Sequence, residues 1–226
     1  MKKIKKILFL FLIPALIFTF TACGGMNSTG GGNTTDADNN SAFEYGNGKD
    51  YITEHLKGDY SITYKYTVSG SPESLVATST RTSEGYYYNY GGMEALFIKN
   101  GDKYDTYQGS AEDGFVKVDF IDPVTQKELE DEMAFNLVFG FMNQYADNTS
   151  NMKKSGTATV ADRDCDKYTF SYSGIGGAVK YSYYIDKETG VCLKWNYDAA
   201  AGGQTAALTF ECTEFKTSGV SLPNYI

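Results

Sequence analysis

The sequence predicts a mainly β domain with a single long helix, because about eleven of its segments have the period of strands and one has the period of a helix. Apolar or aromatic residues alternate with polar ones along Tyr60–Val68 and again at 179–185 and 191–197. This period of two is typical of an antiparallel strand with one buried face. Gly-containing breaks such as Asn100-Gly101-Asp102 separate many of the segments, which indicates hairpin connections between consecutive strands.

Residues 1–22 have the pattern of a signal peptide. Four lysines precede an apolar run at residues 7–20, which is broken only by Pro14 and Thr19. A membrane-spanning helix needs about 20 apolar residues, so this run predicts a cleaved leader rather than a permanent span. The run ends in Thr21-Ala22-Cys23-Gly24, which resembles the lipobox of bacterial lipoproteins. The resemblance implies cleavage before Cys23 and a diacylglycerol on its thiol. The alternative is an ordinary signal peptide in which Cys23 is incidental.

Residues 23–47 predict a flexible tether between the lipidated Cys23 and a domain at residues 48–226. Gly, Asn, Ser, Thr and Asp dominate this stretch, and apolar residues are few before Phe43. Such a composition cannot bury a core and behaves as a linker. A spacer between lipid and domain is what an anchored protein requires.

The charge of the chain excludes some partners. The formal charge is −8, and loss of the signal peptide with its four lysines leaves 16 basic against 28 acidic residues, a charge near −12. Nucleic acid binding calls for a basic patch, and so does adsorption to anionic lipid head groups. We therefore expect no nucleic acid partner, and membrane contact through the Cys23 lipid alone. A monomer on the extracytoplasmic face of the cell membrane is expected.

Residues 124–147 predict the long helix. Asp122 followed by Pro123 has the pattern of an N-cap and the first helical position. Apolar stripes at helical spacing cover almost every side of the segment from Met133 to Met142, and a helix that is apolar all round is normally buried. It is expected either to pack against one sheet as part of the core or to fill the concavity of a curved sheet. A shorter helical turn is predicted at residues 48–56.

Three segments resemble the LolA/LolB-like lipoproteins. They are residues 59–64 (Asp-Tyr-Ser-Ile-Thr-Tyr), 165–170 (Cys-Asp-Lys-Tyr-Thr-Phe) and 184–195, which contains the hairpin sequence Asp-Lys-Glu-Thr-Gly. The resemblance implies an unclosed β-barrel: a half-barrel of one curved antiparallel sheet, with the long apolar helix packed in its concave face. It also implies a hydrophobic cavity that accepts acyl chains, as in the related glycolipid-binding LppX/LprG group.

The ligand implied by this resemblance is a lipid or acyl chain, and strand parity selects the residues of the concave face. The predicted ligand-binding residues are Tyr64, Tyr66, Phe135, Phe139, Tyr181, Tyr183, Leu193 and Trp195. The domain would then act as a carrier or sensor of an apolar ligand. The alternative is a passive cell-surface module that binds glycan or protein through exposed tyrosines, of which Tyr86-Tyr87-Tyr88-Asn89-Tyr90 is the densest cluster. Tyrosine is also a favoured strand residue whose ring is half-buried, which weighs against that alternative.

Three cysteines remain in the exported domain once Cys23 is lipidated, so at least one of them is unpaired within the chain. By parity, Cys165 and Cys192 point outward and Cys212 points inward. We therefore predict a Cys165–Cys192 disulfide, with Cys212 as a small buried hydrophobe. The strand between them counts against the bond, because Cα atoms farther than about 7 Å apart cannot be bridged.

No catalytic function is predicted. A Ser-His or Cys-His nucleophile would have to use His55, the single histidine, and its context, Glu54-His55-Leu56-Lys57, has the pattern of a solvated helix end. The sequence contains no metal-binding, nucleotide-binding or hydrolase motif, although a pair of converging carboxylates would carry no motif. We expect no enzyme activity, no metal and no cofactor.

Overall fold

The computed structural model describes residues 56–130, 152–174 and 177–226, which all belong to one compact unit spanning Asn40–Ile226. These residues form twelve β-strands and one short helix. The strands are β1 (Tyr60–Val68), β2 (Ser74–Arg81), β3 (Gly85–Tyr90), β4 (Met93–Asn100), β5 (Lys103–Ser110), β6 (Gly114–Lys117), β7 (Val124–Thr125), β8 (Lys153–Val160), β9 (Arg163–Gly174), β10 (Gly177–Asp186), β11 (Cys192–Ala201) and β12 (Gln204–Lys216). The helix, α1, is Gln126–Glu128.

The twelve strands form one antiparallel sheet. Its order is β6-β5-β4-β3-β2-β1-β12-β11-β10-β9-β8, with β7 paired to β5 beside this path. Strands consecutive in the chain pair within each half, and the first and last strands join the halves through residues 61–68 and 208–216. The order does not return to its start, because β6 and β8 stand at its two ends. The sheet is therefore unclosed.

The predicted fold class is wrong in its helix. We expected a long helix from Val124 with Asp122 as its N-cap, but Val124 and Thr125 pair with Tyr104 and Lys103 of β5. Both are β-branched residues, which favour extended backbone. The helix begins at Gln126, two residues after Val124, and within the described residues no long helix packs in the sheet. Residues 131–147 of the predicted helix lie outside the described residues, as do residues 48–55 of the predicted short turn.

A capping box fixes the true start of α1. Thr125 is its N-cap: the Thr125 hydroxyl accepts a hydrogen bond from the backbone N–H of Glu128, and the Glu128 carboxylate accepts one from the backbone N–H of Thr125 at 2.7 Å. These hydrogen bonds satisfy backbone donors that the first turn of a helix leaves unpaired. The hydrogen bonds to Thr125 lower the pKa of Glu128, so its carboxylate stays ionised near the helix start.

One face of the sheet carries the core. Tyr60, Ile62 and Tyr64 of β1 are buried, whereas Ser61 and Thr63 between them are half-buried. On the other face these two hydroxyls bond to β2, Ser61 to Thr80 at 2.9 Å and Thr63 to Thr78 at 3.0 Å. The period of two in the sequence thus separates an aromatic face from a hydroxyl-rich face.

The β10–β11 hairpin is held by the carboxylate of Asp186. It accepts hydrogen bonds from the backbone N–H of Thr189 at 3.0 Å and from the Thr189 hydroxyl. Gly190 closes the turn at φ +75°, a left-handed conformation that glycine adopts without strain. A β-bulge between Tyr184 and Ile185 then shifts the pairing, so that Cys192 lies opposite Ile185. This bulge decides which side chains of β11 reach the core face.

Candidate ligand-binding face

The core face of β9 to β12 and β1 carries two adjacent rows of apolar and aromatic side chains, which we call the aromatic face. The ladder partners of the first row are Tyr168, Tyr183, Trp195, Phe210 and Tyr66. Those of the second row are Phe170, Tyr181, Tyr197, Leu208 and Val68. Residues paired across a ladder share a face of the sheet. Each row therefore crosses five strands, a span of about 19 Å at the usual strand spacing.

Ring contacts join the two rows into one surface. Tyr183 and Trp195 meet edge to face with centroids 6.4 Å apart, and Trp195 stacks with Tyr197 of the second row at 6.2 Å. Within the second row, Tyr181 lies 5.3 Å from Tyr197 and 6.1 Å from Phe170. Such ring pairs contribute about 0.5–1.5 kcal/mol each beyond the area that they bury.

The aromatic face changes from fully buried to half-buried along the strands. In the first row, Tyr183, Trp195 and Phe210 are 0–2% exposed. In the second row every member whose side chain is described is only half-buried: Phe170, Tyr181, Tyr197, Leu208 and Val68. The second row therefore offers apolar surface that remains in contact with water.

The structure brings six of the eight predicted ligand-binding residues to the core face or its margin. Tyr66, Tyr181, Tyr183 and Trp195 belong to the aromatic face, and the Tyr64 ring stacks on Phe210 at 4.4 Å. Leu193 is fully buried at the bulge. Phe135 and Phe139 lie outside the described residues. Whether any of the eight contacts a ligand stays a prediction.

Six residues of the aromatic face were absent from the predicted set. They are Val68, Tyr168, Phe170, Tyr197, Leu208 and Phe210. Each stands in an alternating segment of the sequence, so the period of two had marked them as core. What the sequence lacked was the register that sets Tyr197 beside Tyr181 and Phe210 beside Trp195.

A polar cluster lies on the same side of the sheet across β1 to β3. The Tyr86 hydroxyl donates to the Glu130 carboxylate at 2.7 Å, and Arg81 approaches the same carboxylate oxygen at 3.3 Å. The Tyr60 hydroxyl lies 3.3 Å from the Ser79 hydroxyl. Burial, and then the bond to Glu130, raise the pKa of Tyr86, so its phenol stays protonated. The cluster is neutral overall because Arg81 and Glu130 compensate each other.

The three cysteines of the domain are buried free thiols. Cys165, Cys192 and Cys212 are each at most 2% exposed. Burial raises the pKa of Cys165 to about 11 and those of Cys192 and Cys212 to about 12. At neutral pH these thiols are protonated and unreactive, because the thiolate is the nucleophile.

The buried position of Cys212 agrees with the prediction, whereas Cys165 and Cys192, which were predicted to point outward, are also buried. The bulge sets Cys192 opposite Ile185, on the buried side, and Cys165 lies opposite the buried Asp186. Strand β10 separates Cys165 from Cys192, and two strand spacings amount to about 9.6 Å. A disulfide can join Cα atoms no farther than about 7 Å apart. A Cys165–Cys192 bond would therefore require the backbone to move from this conformation.

Two open cavities lie elsewhere on the described part of the chain. One, of about 560 Å³, is lined mainly by small side chains of the opposite sheet face, and its lining includes the ladder partners Lys180 and Asp198. The other, of about 460 Å³, lies between Asp59, residues 82–84 and residues 220–225 and is mostly polar. Among the described residues, no three His, Cys, Asp or Glu side chains are arranged to hold a metal ion.

No family model matches this chain, and no curated protein matches it. Solved structures do match. A chain of the MucA/MucB complex of Pseudomonas aeruginosa has a TM-score of 0.39 at 12% identity over 78% of this chain, and LprF from Mycobacterium bovis has 0.36 at 12% over 78%. A LolA superfamily protein from Nitrosomonas europaea has a TM-score of 0.25 at 7% identity over 76%.

These matches differ in how much of each relative they cover. This chain spans 59% of the MucA/MucB match, and it covers 96% of LprF and 92% of the LolA superfamily protein. One of these matched structures carries the name of the superfamily that the sequence resembles. At these identities and TM-scores no ligand or partner is transferred from them. In the part of the chain that the structure describes, no helix has both the length and the apolar character needed to span a bilayer.

Proposed function

We propose that this protein is a lipid-anchored extracytoplasmic lipoprotein whose unclosed barrel binds an apolar ligand, a lipid or acyl chain, along the aromatic face, as a carrier or sensor. One observation supports the proposal above the others. The second row of the aromatic face, from Phe170 to Val68, is apolar across five strands and only half-buried, so part of it stays in contact with water. Contiguous exposed apolar surface marks binding sites in soluble proteins.

The energetics suit an acyl chain. Burying each methylene of a ligand contributes about 0.8 kcal/mol, so a chain of several methylenes lying along the row gains affinity without any charged contact. The aromatic rings contribute flat surfaces that accept chains of different shapes. The span of about 19 Å across five strands accommodates an extended chain rather than a compact ring.

Anchoring rests on the sequence alone. The lysines, the apolar run and Thr21-Ala22-Cys23 support cleavage before Cys23 and its lipidation. The tether at residues 24–47 would let the domain move near the membrane surface, where an acyl-chain ligand is present. Anchor and ligand face then serve one role: the exchange or detection of lipid at the outer side of the membrane.

The alternative of a surface module has less support. It relied on exposed tyrosines in residues 86–90, but Tyr86 and Tyr88 are each 1% exposed. Tyr87 donates its hydroxyl to Glu94 at 2.8 Å and meets Phe115 edge on. This cluster therefore presents few ring faces to a sugar.

The test uses Trp195, the single tryptophan of the chain, as an intrinsic reporter within the aromatic face. The domain without signal peptide and lipid is titrated with methyl decanoate, and its tryptophan fluorescence is followed. We expect a saturable change in intensity and a shift in emission maximum. In parallel, the purified domain is extracted with organic solvent and the extract analysed by mass spectrometry. A folded sample that neither responds to the ester nor carries a lipid would refute the proposal.

A further inference from the structure

Strand β8 is an open edge of the sheet. It stands last in the strand order and pairs with β9 on one side only. The other edge, β6, is covered by the C-terminal residues, because the backbone N–H of Ile226 donates to the Phe115 carbonyl at 3.1 Å and Tyr225 bridges to Phe115. Among the described residues, β8 has no such cover. An uncovered edge strand presents unpaired backbone N–H and C=O groups on which another strand can pair.

The free backbone groups of β8 are those of Thr157 and Thr159. In an antiparallel ladder, pairs that exchange both backbone hydrogen bonds alternate with pairs that exchange none. Thr159 lies opposite Asp164 of β9, and the Asp164 carbonyl accepts from the backbone N–H of Lys187, on the far side of β9, at 2.9 Å. The N–H and C=O of Thr159 therefore point away from β9. Thr157, two positions earlier, has the same orientation, and both side chains are exposed.

The charges along β8 favour a second copy of this chain as the added strand. Lys153 lies at the start of β8 and Asp162 in the turn after it; both are exposed, and neither makes an ion pair within the described chain. An antiparallel pair of β8 strands centred on Thr157 sets Lys153 of one copy opposite Ala161 of the other, beside Asp162. Two-fold symmetry repeats this contact at the far end. A parallel pair would instead set Lys153 beside Lys153, which is unfavourable.

The edge is selective and its pairing is short. Lysines and bulges on an edge strand discourage indiscriminate pairing, and β8 has Lys153, Lys154 and a bulge between Lys154 and Gly156. The residues after the bulge, 157–160, carry no charge, and threonines that meet across strands stabilise a ladder. A contact of this size lies below the roughly 1,200 Å² of a stable interface, so the association is weak and reversible.

We propose that β8 is a self-association edge, to which a second copy of this chain adds its own β8 in antiparallel orientation about a two-fold axis near Thr157. The protein is then a weak dimer, where the sequence had led us to expect a monomer. Residues paired across a ladder share a face of the sheet, so the aromatic faces of the two copies would open on the same side of one continuous sheet. Only this last consequence rests on the proposed function; the pairing itself does not.

The experiment uses the full chain, exported by cells that express it, with a single added cysteine. Thr157→Cys places two thiols opposite each other, with about 5.5 Å between the Cα atoms of such a pair, which is within the range that a disulfide can join. After mild oxidation of the cells, a non-reducing gel should show a disulfide-linked dimer. Thr205→Cys is the matched control, because Thr205 is also an exposed strand threonine but lies on β12, inside the sheet. It should give about tenfold less dimer, since only paired strands hold their thiols within bridging distance.

Thr159→Pro, added to Thr157→Cys, tests the backbone of the edge. Proline has no N–H to donate, and the N–H of Thr159 points away from β9. The change should therefore leave the urea midpoint of unfolding in place and lower the yield of dimer about tenfold, the effect of losing a hydrogen bond at each end of the pair. Thr159→Ala keeps the N–H and should keep the cross-link. A lower urea midpoint in Thr159→Pro alone would show that this N–H is bonded within one chain and would overturn the inference.

The remaining outcomes are also decisive. No more dimer from Thr157→Cys than from Thr205→Cys would overturn self-association through β8, and so would a cross-link that Thr159→Pro leaves intact. A disulfide from Thr157→Cys to a different protein would show that the edge takes a foreign strand, which overturns pairing between copies. A failed titration with methyl decanoate would leave the pairing of β8 untouched, so the two proposals fail separately.

Discussion

Arg163 of β9 donates two hydrogen bonds to the carboxylate of Asp186 at the end of β10, from Nε at 3.0 Å and from Nη2 at 2.8 Å. The same carboxylate accepts the bonds that shape the β10–β11 turn. The Asp186 side chain is 2% exposed, and the guanidinium lies 5.1 Å from the centroid of the Phe215 ring. One buried ion pair thus joins β9, the hairpin and β12.

Replacing Asp186 by Asn should destabilise the domain by about 3 kcal/mol. This is the lower end of the cost of breaking a buried ion pair, because Arg163 keeps Glu188 as a partner. Urea unfolding at pH 7 measures the change. Glu188→Gln is the control: its side chain is 79% exposed, so the loss should stay under about 1 kcal/mol. Equal losses in the two variants would contradict the role of burial.

The same pair makes a prediction about pH. Although burial opposes it, the hydrogen bonds from Arg163 and Thr189 lower the pKa of Asp186 below its ordinary value of 3.8. A depressed pKa contributes stability that is present above the unfolded-state value and lost as pH falls through the folded-state value. The gap in unfolding free energy between wild type and Asp186→Asn should be constant from pH 7 to about 5 and narrow below about pH 4.

Thr125→Ala should destabilise the domain by about 1 kcal/mol, the usual cost of losing an N-cap. The reason is that Thr125 and Glu128 satisfy each other's backbone groups at the start of α1. Asp122→Ala is the informative comparison, because the sequence had predicted Asp122 as the cap and the structure leaves it exposed in a loop. Thermal unfolding should detect a loss for Thr125→Ala and little change for Asp122→Ala. A larger loss of stability for Asp122→Ala than for Thr125→Ala would show that Asp122 is the N-cap and that the helix starts there.

Leu208→Asp should weaken binding of methyl decanoate by at least tenfold. It places a charge in the second row of the aromatic face, where a ligand would have to desolvate it. Ala207→Asp introduces the same residue one position earlier on β12, on the opposite side of the sheet and similarly half-buried. Fluorescence titration should show normal binding for that control. If both variants bind normally, the second row is not the ligand site.

The three buried thiols should resist alkylation in the folded domain. With pKa values raised to about 11 or 12 by burial, Cys165, Cys192 and Cys212 carry little thiolate at pH 8. Iodoacetamide should modify all three quickly in urea and slowly without it, as followed by mass spectrometry. Peptide mapping without reductant completes the test. A Cys165–Cys192 peptide pair from the exported protein would show that this disulfide forms after a local movement of the strands.

Cys23→Ser should release the protein from the membrane. The serine hydroxyl cannot take up diacylglycerol through a thioether, so lipid labelling should disappear and the chain should move to the soluble fraction. Replacing Ser41 in the tether by Ala is the control and should leave labelling unchanged. Continued labelling and membrane retention of the Cys23→Ser protein would rule out the lipid anchor.

The alternation of apolar and polar residues predicted the β architecture, because side chains that point to one buried face must recur at every second position of a strand. The same logic placed Tyr64, Tyr183 and Trp195 on the core side. It failed at Cys192, because the bulge between Cys192 and Lys194 breaks the alternation there, so that Cys192 pairs with Ile185 while Trp195 keeps its predicted face. It failed as well at Val124 and Thr125, whose pairing with β5 depends on residues some twenty positions away in the chain.

What the sequence determined by itself was local: the acidic charge and strands with one apolar side. Each follows from the order of neighbouring residues, and the leader and the lipidated Cys23 stay predictions from the same local order. The tertiary structure decided the features that depend on contacts between residues far apart in the chain. Register set Phe170, Tyr181, Tyr197 and Leu208 in one half-buried row, and the pairing of β1 with β12 extends that row to Val68. It also left the Tyr88 hydroxyl buried without a partner in the described chain, because hydrogen-bond satisfaction depends on the full three-dimensional surroundings of a group and not on its neighbours in sequence.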